Sequence, residues 1–409
     1  MGFQTEVSYF PIRGCEFDDN EKSLAVAHEG GFSMFDLIDP NNIVKMYTND
    51  REEFKYMLRC KRLANSALIL YVKRQNRRRI VFYDFQNKKF VFELNMPSQI
   101  FDFKVIRNRL AVAIENEVLI YSLKPSVHFL YQVFSNKKTP AGRIIDLALG
   151  KTSILAYSPH FPKEYNLHGL VTIFNADIMK EQETIRAHHA PLAMFKLNKD
   201  GTKIATASIK GTIIRVFDTM TGGLLFEFAR GYARNVSIKS LAFSPDSEFL
   251  VASSETETVH IFKCFNKPIY LQGDKLFGDP SNQQYFNNLA KAAIAYLPNE
   301  LAKACGRMPE HAKIRLGSND GNRNLVGIAN DKHGLPSVYV ITMEGTFYRY
   351  NLPFDGGECK LKGVIKINVE KGGERPFGLE YYPSDYHLQI KLPQTEAVVD
   401  EDENEYEII

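Results

Sequence analysis

One arginine near the middle of the chain is flanked by side chains suited to binding a phosphate. Arg230 stands in the run Phe228-Ala229-Arg230-Gly231. The hydroxyl and histidine side chains around it, which an apolar core does not need, are His188, Thr206, Ser208, Thr212, Ser254, Thr258 and His260. A guanidinium supplies charge-assisted hydrogen bonds to phosphate, and neutral donors complete the shell without carboxylate repulsion. Each residue taken singly also fits a hydrogen bond within its own sheet, but the group together favours an anionic ligand.

The elements that position these residues are strands repeated in tandem. Residues 192–217 and 238–262 share the order strand, polar turn, strand, polar turn and strand. Runs of β-branched and small residues between Asp-Gly or Lys-Gly turns are typical of antiparallel hairpins. Repetition at a period of about 45 residues is typical of propeller blades. The site residues therefore lie on two neighbouring blades.

The same spacing along the rest of the chain predicts an all-β fold, a seven-bladed β-propeller of the WD40 type. We place blade one at 15–37, blade two at 54–94, blade three at 99–134, blade four at 144–185, blades five and six at 187–263, and blade seven at 324–367. Because propellers avoid unpaired edge strands, we expect residues near the N-terminus to pair with the last blade. The predicted domains are a propeller over 1–370 and a C-terminal extension over 371–409.

A long insertion interrupts blade six, at about 264–312. It has apolar residues at helical spacing, lysines around them and few acids. The residues that we expect to enter a membrane are Tyr285, Phe286, Leu289 and Leu297. Insertions of this length tend to be functional or disordered. An amphipathic element at a membrane surface and a helix folded onto its own blade both fit the pattern.

Composition limits the classes of function. The chain has 409 residues, of which 44% are hydrophobic and 24% charged, as in soluble globular proteins. No apolar run approaches the length of about 18 residues that a membrane span needs, and the first residues lack the order of a signal peptide. We therefore expect a cytosolic protein. The five cysteines are never in CxxC spacing, which predicts free thiols and no metal site.

Catalysis and nucleic-acid binding are not indicated. The chain has no nucleophile elbow and no glycine-rich phosphate loop that opens a helix, so we predict no catalytic residues, no cofactor and no enzymatic activity. Tryptophan is absent and the basic residues are scattered, with one compact cluster at 77–79, which disfavours nucleic acid.

Three stretches resemble a known family. They read AHHAP through ETVHIFK, then AYLPNELAKACGR, and EGTFYRYNLPFDGGEC. They are similar to the PROPPINs, the WIPI-type β-propellers that bind phosphoinositides and act in autophagy, and a thinner similarity covers the earlier blades. The resemblance implies a peripheral membrane adaptor whose blade-six loop enters the bilayer. It also implies two phosphoinositide sites, one for each arginine of an F-R-R-G motif.

By this resemblance the first site is formed by His188, Thr206, Ser208, Gly211, Thr212 and Arg215. The second is formed by Arg230, Gly231, Ser254, Thr258 and His260. The first arginine of the motif is Ala229 in this chain. A lost guanidinium–phosphate bond costs roughly 1.5–3 kcal/mol, or about one to two orders of magnitude in affinity. We therefore expect a weakened first site unless Arg215 compensates.

The resemblance further implies partners and a location. The expected ligands are phosphatidylinositol 3-phosphate, phosphatidylinositol 3,5-bisphosphate or both, in membranes. The expected partners are autophagy lipid-transfer and conjugation-complex proteins, with recruitment from the cytoplasm to preautophagosomal, autophagosomal and endosomal membranes. An alternative is a protein-only scaffold whose Arg230 region recognises phosphopeptides.

The C-terminal residues form an acidic tail on a basic body. Seven of the 48 acidic residues and no basic residue lie beyond residue 395, so the rest of the chain carries a net charge of +10. Tyr406 and Ile409 follow the acids with a three-residue offset, so two pockets on a partner could receive them while the backbone pairs with a sheet edge. The pattern resembles the motif that binds the ubiquitin-like modifiers of autophagy. A solvated acidic tail is the alternative.

Overall fold

The strands of the chain pair into seven sheets, which are antiparallel except for one short parallel pair, and apolar layers join each sheet to the next around a closed ring. The computed structural model describes residues 12–18, 23–37, 44–49, 51–63, 66–135, 140–160, 169–231, 234–264, 308–317, 324–330 and 336–366. Within these residues each sheet is one blade, and the predicted seven-bladed propeller is confirmed.

The strands follow the predicted repeats except for the outer strands of blades one and six, which lie beyond the predicted ends of those blades. Blades one to four consist of β1 Ile12–Phe17, β2 Ser23–His28, β3 Gly31–Asp36, β4 Val44–Asn49; β5 Met57–Arg62, β6 Leu68–Lys73, β7 Arg79–Asp84, β8 Lys89–Asn95; β9 Asp102–Val105, β10 Arg109–Ala113, β11 Glu117–Ser122, β12 His128–Phe134; and β13 Asp146–Leu149, β14 Ser153–Tyr157, β15 Leu170–Asn175, β16 Lys180–Arg186. Short 3-10 turns at Glu52–Phe54 and Pro140–Arg143 precede blades two and four.

Blades five to seven complete the ring. They consist of β17 Leu192–Leu197, β18 Lys203–Ser208, β19 Ile213–Asp218, β20 Leu224–Ala229; β21 Ile238–Phe243, β22 Phe249–Ser254, β23 Thr258–Lys263, β24 Ala312–Arg315; and β25 Leu325–Asn330, β26 Pro336–Ile341, β27 Thr346–Asn351, β28 Gly357–Glu358 and β29 Lys360–Lys366. The short strand β28 joins blade six, and β29 joins blade seven.

Each blade buries both of its faces in apolar layers shared with its neighbours, which explains the composition of the inner strands. In β18, Ile204 packs in the layer between blades four and five, and Ala205 in the layer between blades five and six. Alternate side chains of a strand point to opposite faces, so a strand buried on both faces reads as a continuous small or β-branched run. The outer strand β16 (KEQETIR) is mostly exposed and is correspondingly polar.

The ring closes by side-chain packing between blades one and seven. The apolar layer at this seam joins Leu24 and Val26 to Tyr339 and Phe347. In the described residues β1 pairs with β2, and all strands of the last sheet come from 325–366. Within the described residues an apolar layer joins the two blades, and the expected pairing of residues near the N-terminus with the last blade stays a prediction for residues 1–11, which lie outside the described ranges.

Blade six contains the predicted interruption. Its third strand β23 ends at Lys263, and its outer strand β24 begins only at Ala312. The two strands pair antiparallel across this gap. The short strand β28 then pairs in parallel with β24 as a fifth strand. Part of the GGEC segment that the sequence assigns to blade seven thus belongs to blade six, because the cross-strand partner of this segment lies about 45 residues earlier in the chain.

Several predicted features lie outside the described residues. These are the proposed membrane-entering residues Tyr285, Phe286, Leu289 and Leu297, and the tail residues Tyr406 and Ile409. Cys15, Cys60, Cys264 and Cys359 are free thiols. Among the described residues, no helix has the length and apolar character needed to cross a membrane.

Candidate functional site

The outer strand of blade five, β20, directs alternate side chains into two different seams. Glu227 lies opposite Arg215 of β19, and the Arg215 Nε donates to the Glu227 Oε2 at 2.7 Å. The next residue, Phe228, stacks instead on Phe262 of blade six, with 4.8 Å between the ring centroids. Because strand side chains alternate, Ala229 lies on the Arg215 face, toward blade four.

Arg230 follows this strand and lies at the seam between blades five and six. Its Nε donates to the Gly211 carbonyl at 2.6 Å and its Nη2 to the Arg234 carbonyl at 2.5 Å. In the described part of the chain no carboxylate pairs with the guanidinium. Burial, and secondly the charge of Arg234, lower the pKa of Arg230 from its ordinary value. Both effects disfavour an uncompensated positive charge, so a bound anion would be stabilised here.

Two glycines border this arginine, for different reasons. Gly211 has a φ of +60°, and a Cβ there would lie 1.8 Å from the Val236 carbonyl oxygen. Only glycine fits that turn. Apart from its chain neighbours, a Cβ at Gly231 would meet no atom of the described residues within 4 Å. Packing therefore does not require Gly231, and the missing side chain leaves space beside Arg230.

The first predicted group forms a bonded network on the other face of blade five. The Thr206 hydroxyl donates to the Arg215 carbonyl at 3.3 Å, so its oxygen can accept from the Nε2–H of His188, 3.0 Å away. The Nη1 of Arg215 donates to the Ala187 carbonyl at 2.7 Å. Burial, and then the charge of Arg215, lower the pKa of His188 to about 4. His188 is thus neutral at pH 7.

This network changes the interpretation of the first group. The expectation that the core does not need these side chains is wrong for His188 and Thr206, since both are buried and hydrogen-bonded. Glu227 cancels the charge of Arg215. Ser208 is buried and its carbonyl accepts from the Gly211 amide at 2.9 Å. Within the described residues, the hydroxyls of Ser208 and Thr212 have no side-chain hydrogen bond, and Thr212 lies half-buried at the end of the hairpin.

The second predicted group lies along the edge of blade six that faces Arg230. Ser254 and Thr256 share a hydrogen bond of 2.9 Å between their hydroxyls. Thr258 begins β23 and is half-buried. The Nδ1–H of His260 donates to the Glu310 Oε2 at 2.6 Å. Burial alone would raise the pKa of Glu310, but the hydrogen bond from His260 and the nearby positive charges lower it.

Three charged residues at this seam, Glu310, Lys313 and Arg315, were not predicted from the sequence. Strand β24 pairs with β23 so that Lys313 lies opposite His260 and Arg315 opposite Thr258. Directly opposed residues present their side chains on the same face, so both cations join the second group. The Lys313 Nζ lies 3.6 Å from the Glu310 Oε1. The alternation of apolar and polar residues in AKIR indicates a strand with Lys313 and Arg315 on one face. Which residues of blade six lie opposite them is known only from the pairing of β24 with β23.

The two seams therefore differ in charge. At the blade-four face, the positive charge is cancelled by Glu227 and the histidine is neutral. At the blade-six face, Arg230 and the exposed Arg315 have no carboxylate partner among the described residues. A phosphate fits the second arrangement. Across the described ranges, no group of three or more His, Cys, Asp or Glu residues could hold a metal ion.

The chain is similar to a known protein family and to several of its members. The family model PROPPIN matches residues 12–367. The chain is 32% identical over 383 residues to the human WD repeat domain phosphoinositide-interacting protein 1, covering 93% of this chain and 81% of that protein. It is 28% identical over 358 residues to Autophagy-related protein 18 of Caenorhabditis elegans, covering 84% and 83%. The name of the human relative describes it as phosphoinositide-interacting, and the name of the Caenorhabditis elegans relative describes it as autophagy-related.

Solved structures share the fold. Kluyveromyces lactis Hsv2 with a complete loop 6CD matches with a TM-score of 0.67 at 19% identity, covering 88% of this chain and 99% of that chain. The KlAtg21 chain from a complex with the coiled-coil of AgAtg16 matches with a TM-score of 0.66 at 20% identity, covering 88% and 100%. At this identity the likeness establishes the propeller architecture.

The buried His188 gives the fold a specific pH dependence. The folded state holds this histidine neutral down to about pH 4, whereas the unfolded chain protonates it below about pH 6.5. Its contribution to stability is present above pH ~6.5 and is lost as the pH falls toward 4, by about 3 kcal/mol. The free energy of unfolding should therefore fall by that much more in the parent than in His188→Gln between pH 7 and 4. His189→Gln, at an exposed neighbour, is the control, and parallel pH curves for the parent and His188→Gln would contradict the assignment.

Proposed function

Because the chain belongs to the PROPPIN family of phosphoinositide-binding β-propellers, we propose that it is a peripheral membrane adaptor for phosphatidylinositol 3-phosphate, 3,5-bisphosphate or both. The observation that carries the proposal is that Arg230 is partly buried and has no carboxylate partner among the described residues. Its guanidinium bonds to two backbone carbonyls, is partly desolvated, and has a second cation nearby. A partly buried positive charge without an anionic partner is unfavourable. Charge-assisted hydrogen bonds from the guanidinium to a headgroup phosphate would offset this cost.

The site that we propose spans two adjacent blades. Arg230 lies at its blade-five side, and Thr258, His260, Lys313 and Arg315 lie along its blade-six side. The hydroxyl and imidazole groups supply neutral donors, and the lysine and arginines supply charge. Gly231 leaves the approach open.

The first group of predicted residues contributes less in this proposal. Arg215 is bonded to Glu227, and its charge is not available to compensate for Ala229. The neutral His188 and the buried Thr206 are occupied with each other. We therefore assign the dominant headgroup contact to the seam of blades five and six, with Ser208, Gly211 and Thr212 at the edge of a weaker contact.

Membrane attachment in this proposal has two parts. The headgroup site binds the lipid, and the blade-six insertion enters the interface beside it. Two weak contacts on one rigid body reinforce each other through effective concentration, so neither needs high affinity. The insertion begins after Lys263 and ends before Ala312, on the same two strands that carry Thr258 and Arg315.

The biological role that we propose is recruitment. Headgroup binding would bring autophagy lipid-transfer and conjugation-complex proteins from the cytoplasm to preautophagosomal, autophagosomal and endosomal membranes. The support is the family and its autophagy-related members. We propose no enzymatic activity. The test in cells is whether the Arg230→Ala variant loses this recruitment.

Arg230→Ala should weaken binding to liposomes containing phosphatidylinositol 3-phosphate by about 10- to 100-fold, because a charge-assisted bond is lost. Arg315→Ala should weaken it less, and Ala229→Arg should strengthen it by adding a cation. Liposome flotation at several ionic strengths measures all three. Arg77→Ala, which removes an exposed arginine from blade two, is the matched control.

Two outcomes would contradict this assignment. Equal binding by Arg230→Ala and the parent would place the headgroup elsewhere. Equal losses in the Arg230 and Arg77 variants would mean that binding depends on overall charge alone. Binding to a soluble phosphopeptide but not to any phosphoinositide liposome would favour the protein-only scaffold.

Replacing Phe286, Leu289 and Leu297 together by Asp should reduce liposome binding without unfolding the propeller. Charged side chains oppose entry into the membrane interface, while lysines can remain at the headgroups. Flotation and thermal denaturation of the variant provide the two readouts. Loss of the cooperative transition would show that these side chains belong to the core instead.

A peptide covering residues 395–409 should bind a ubiquitin-like autophagy modifier with micromolar affinity. In our proposal Tyr406 and Ile409 enter two pockets while the acids meet basic residues of the modifier. Isothermal titration of this peptide and of a Tyr406→Ala, Ile409→Ala peptide separates side-chain recognition from charge. Equally weak binding by both peptides would mean that the tail acts through its acids only.

A further inference from the structure

One acidic side chain lies within the proposed headgroup site. The Glu310 carboxylate accepts from the Nδ1–H of His260 at 2.6 Å, and its other oxygen lies 3.6 Å from the Lys313 Nζ. An imidazole N–H and an ammonium at such distances are what a phosphate oxygen would use. One donor of the site is therefore already hydrogen-bonded, and a second is ion-paired, to an anion that belongs to the chain.

The backbone around this glutamate leaves its side chain able to move. Glu310 lies outside the strands, just before β24. The main chain is held on both sides of it, because the Met308 amide donates to the Glu227 carbonyl at 3.0 Å and the His311 amide to the Ile261 carbonyl at 2.7 Å. The Glu310 side chain is 28% exposed. A rotamer change can therefore carry the carboxylate into solvent while the backbone stays in place.

The ion pair at the neighbouring seam makes a useful contrast. Glu227 cancels Arg215 from within a strand ladder, opposite it in register, and the two side chains are 16% and 20% exposed. Withdrawing that carboxylate would leave a shielded arginine without its partner, which is expensive. The Glu310 contact is more exposed, and its partners would gain a phosphate in exchange.

We propose that Glu310 is a built-in competitor of the headgroup phosphate, so that a phosphoinositide must displace its carboxylate from His260 and Lys313 in order to bind. This inference rests on the proposed function and adds a regulation of the same site. The displaced carboxylate stays tethered beside the ligand and repels it in proportion to the ligand's charge. Glu310 thereby lowers affinity and biases the chain toward headgroups with fewer phosphates.

A purely structural role for Glu310 makes a different prediction. If the carboxylate only orients His260, then its removal should loosen the site, weaken every headgroup equally and lower the melting temperature. If Glu310 competes with the phosphate, its removal should instead increase the affinity for the headgroup. Its removal should also affect the more highly charged headgroup more strongly.

The experiment measures the binding of the full chain to liposomes that contain phosphatidylinositol 3-phosphate or phosphatidylinositol 3,5-bisphosphate. Glu310→Gln keeps the shape and removes the charge, and Glu310→Ala is the second variant. We expect both to tighten binding by about three- to tenfold, more for the bisphosphate. Glu93→Gln removes the same charge from blade two, where Glu93 pairs with Arg79 at 3.0 Å, and should change the affinity less than twofold.

The outcomes distinguish this inference from the proposed function. Arg230-dependent binding of the parent, with no tightening or with weakening in both Glu310 variants, would overturn the competitor alone. Equal tightening by Glu93→Gln would also overturn it, because the effect would then be one of general charge. If neither the parent nor the variants bind any phosphoinositide liposome, the proposed function fails and the inference fails with it.

Discussion

The stack of Phe228 on Phe262 is the contact on which the candidate site depends. Both rings are fully buried, their centroids are 4.8 Å apart, and the imidazole of His260 stacks on the same ring of Phe262. Packed aromatic pairs hold a fixed geometry as well as burying a large apolar area. The stack joins the end of the blade-five outer strand to the third strand of blade six. It therefore sets the position of Arg230, two residues beyond Phe228, relative to His260.

Around this fixed contact, the distribution of carboxylates decides which polar side chains can bind a ligand. Blade five carries a histidine, a threonine and an arginine on one face, and these satisfy one another and Glu227. The face at blade six carries similar residue types, but its arginines are not cancelled in the described residues, and its one bonded carboxylate, Glu310, lies on a segment outside the strands. A partly buried charge without a charged partner is costly. Arg230 is in that state among the described residues, so a bound phosphate would lower this cost.

The propeller tolerates a long insertion in blade six because apolar layers between neighbouring blades hold the blades together. Strands β23 and β24 pair in register although about 48 residues separate them, and the layer between blades six and seven includes residues from both. Closure of the ring uses the same kind of contact, since blades one and seven share an apolar layer. Loop length costs little once its ends are fixed, because closure entropy rises only slowly with length.

Strand spacing and turn residues in the sequence were enough to predict the seven blades. They also suggest a loop in blade six and candidate residues around Arg230, which stay predictions. These features are local, because alternation and glycine turns report on backbone geometry and burial within a few residues. The pairing of charges at the site could not be predicted from local sequence. Arg215 meets Glu227 across a strand pair, and His260 meets Glu310, 50 residues away in the chain. Only the tertiary structure decides which cations are already paired, because an ion pair depends on distances of a few ångströms between segments whose separation in sequence carries no such information.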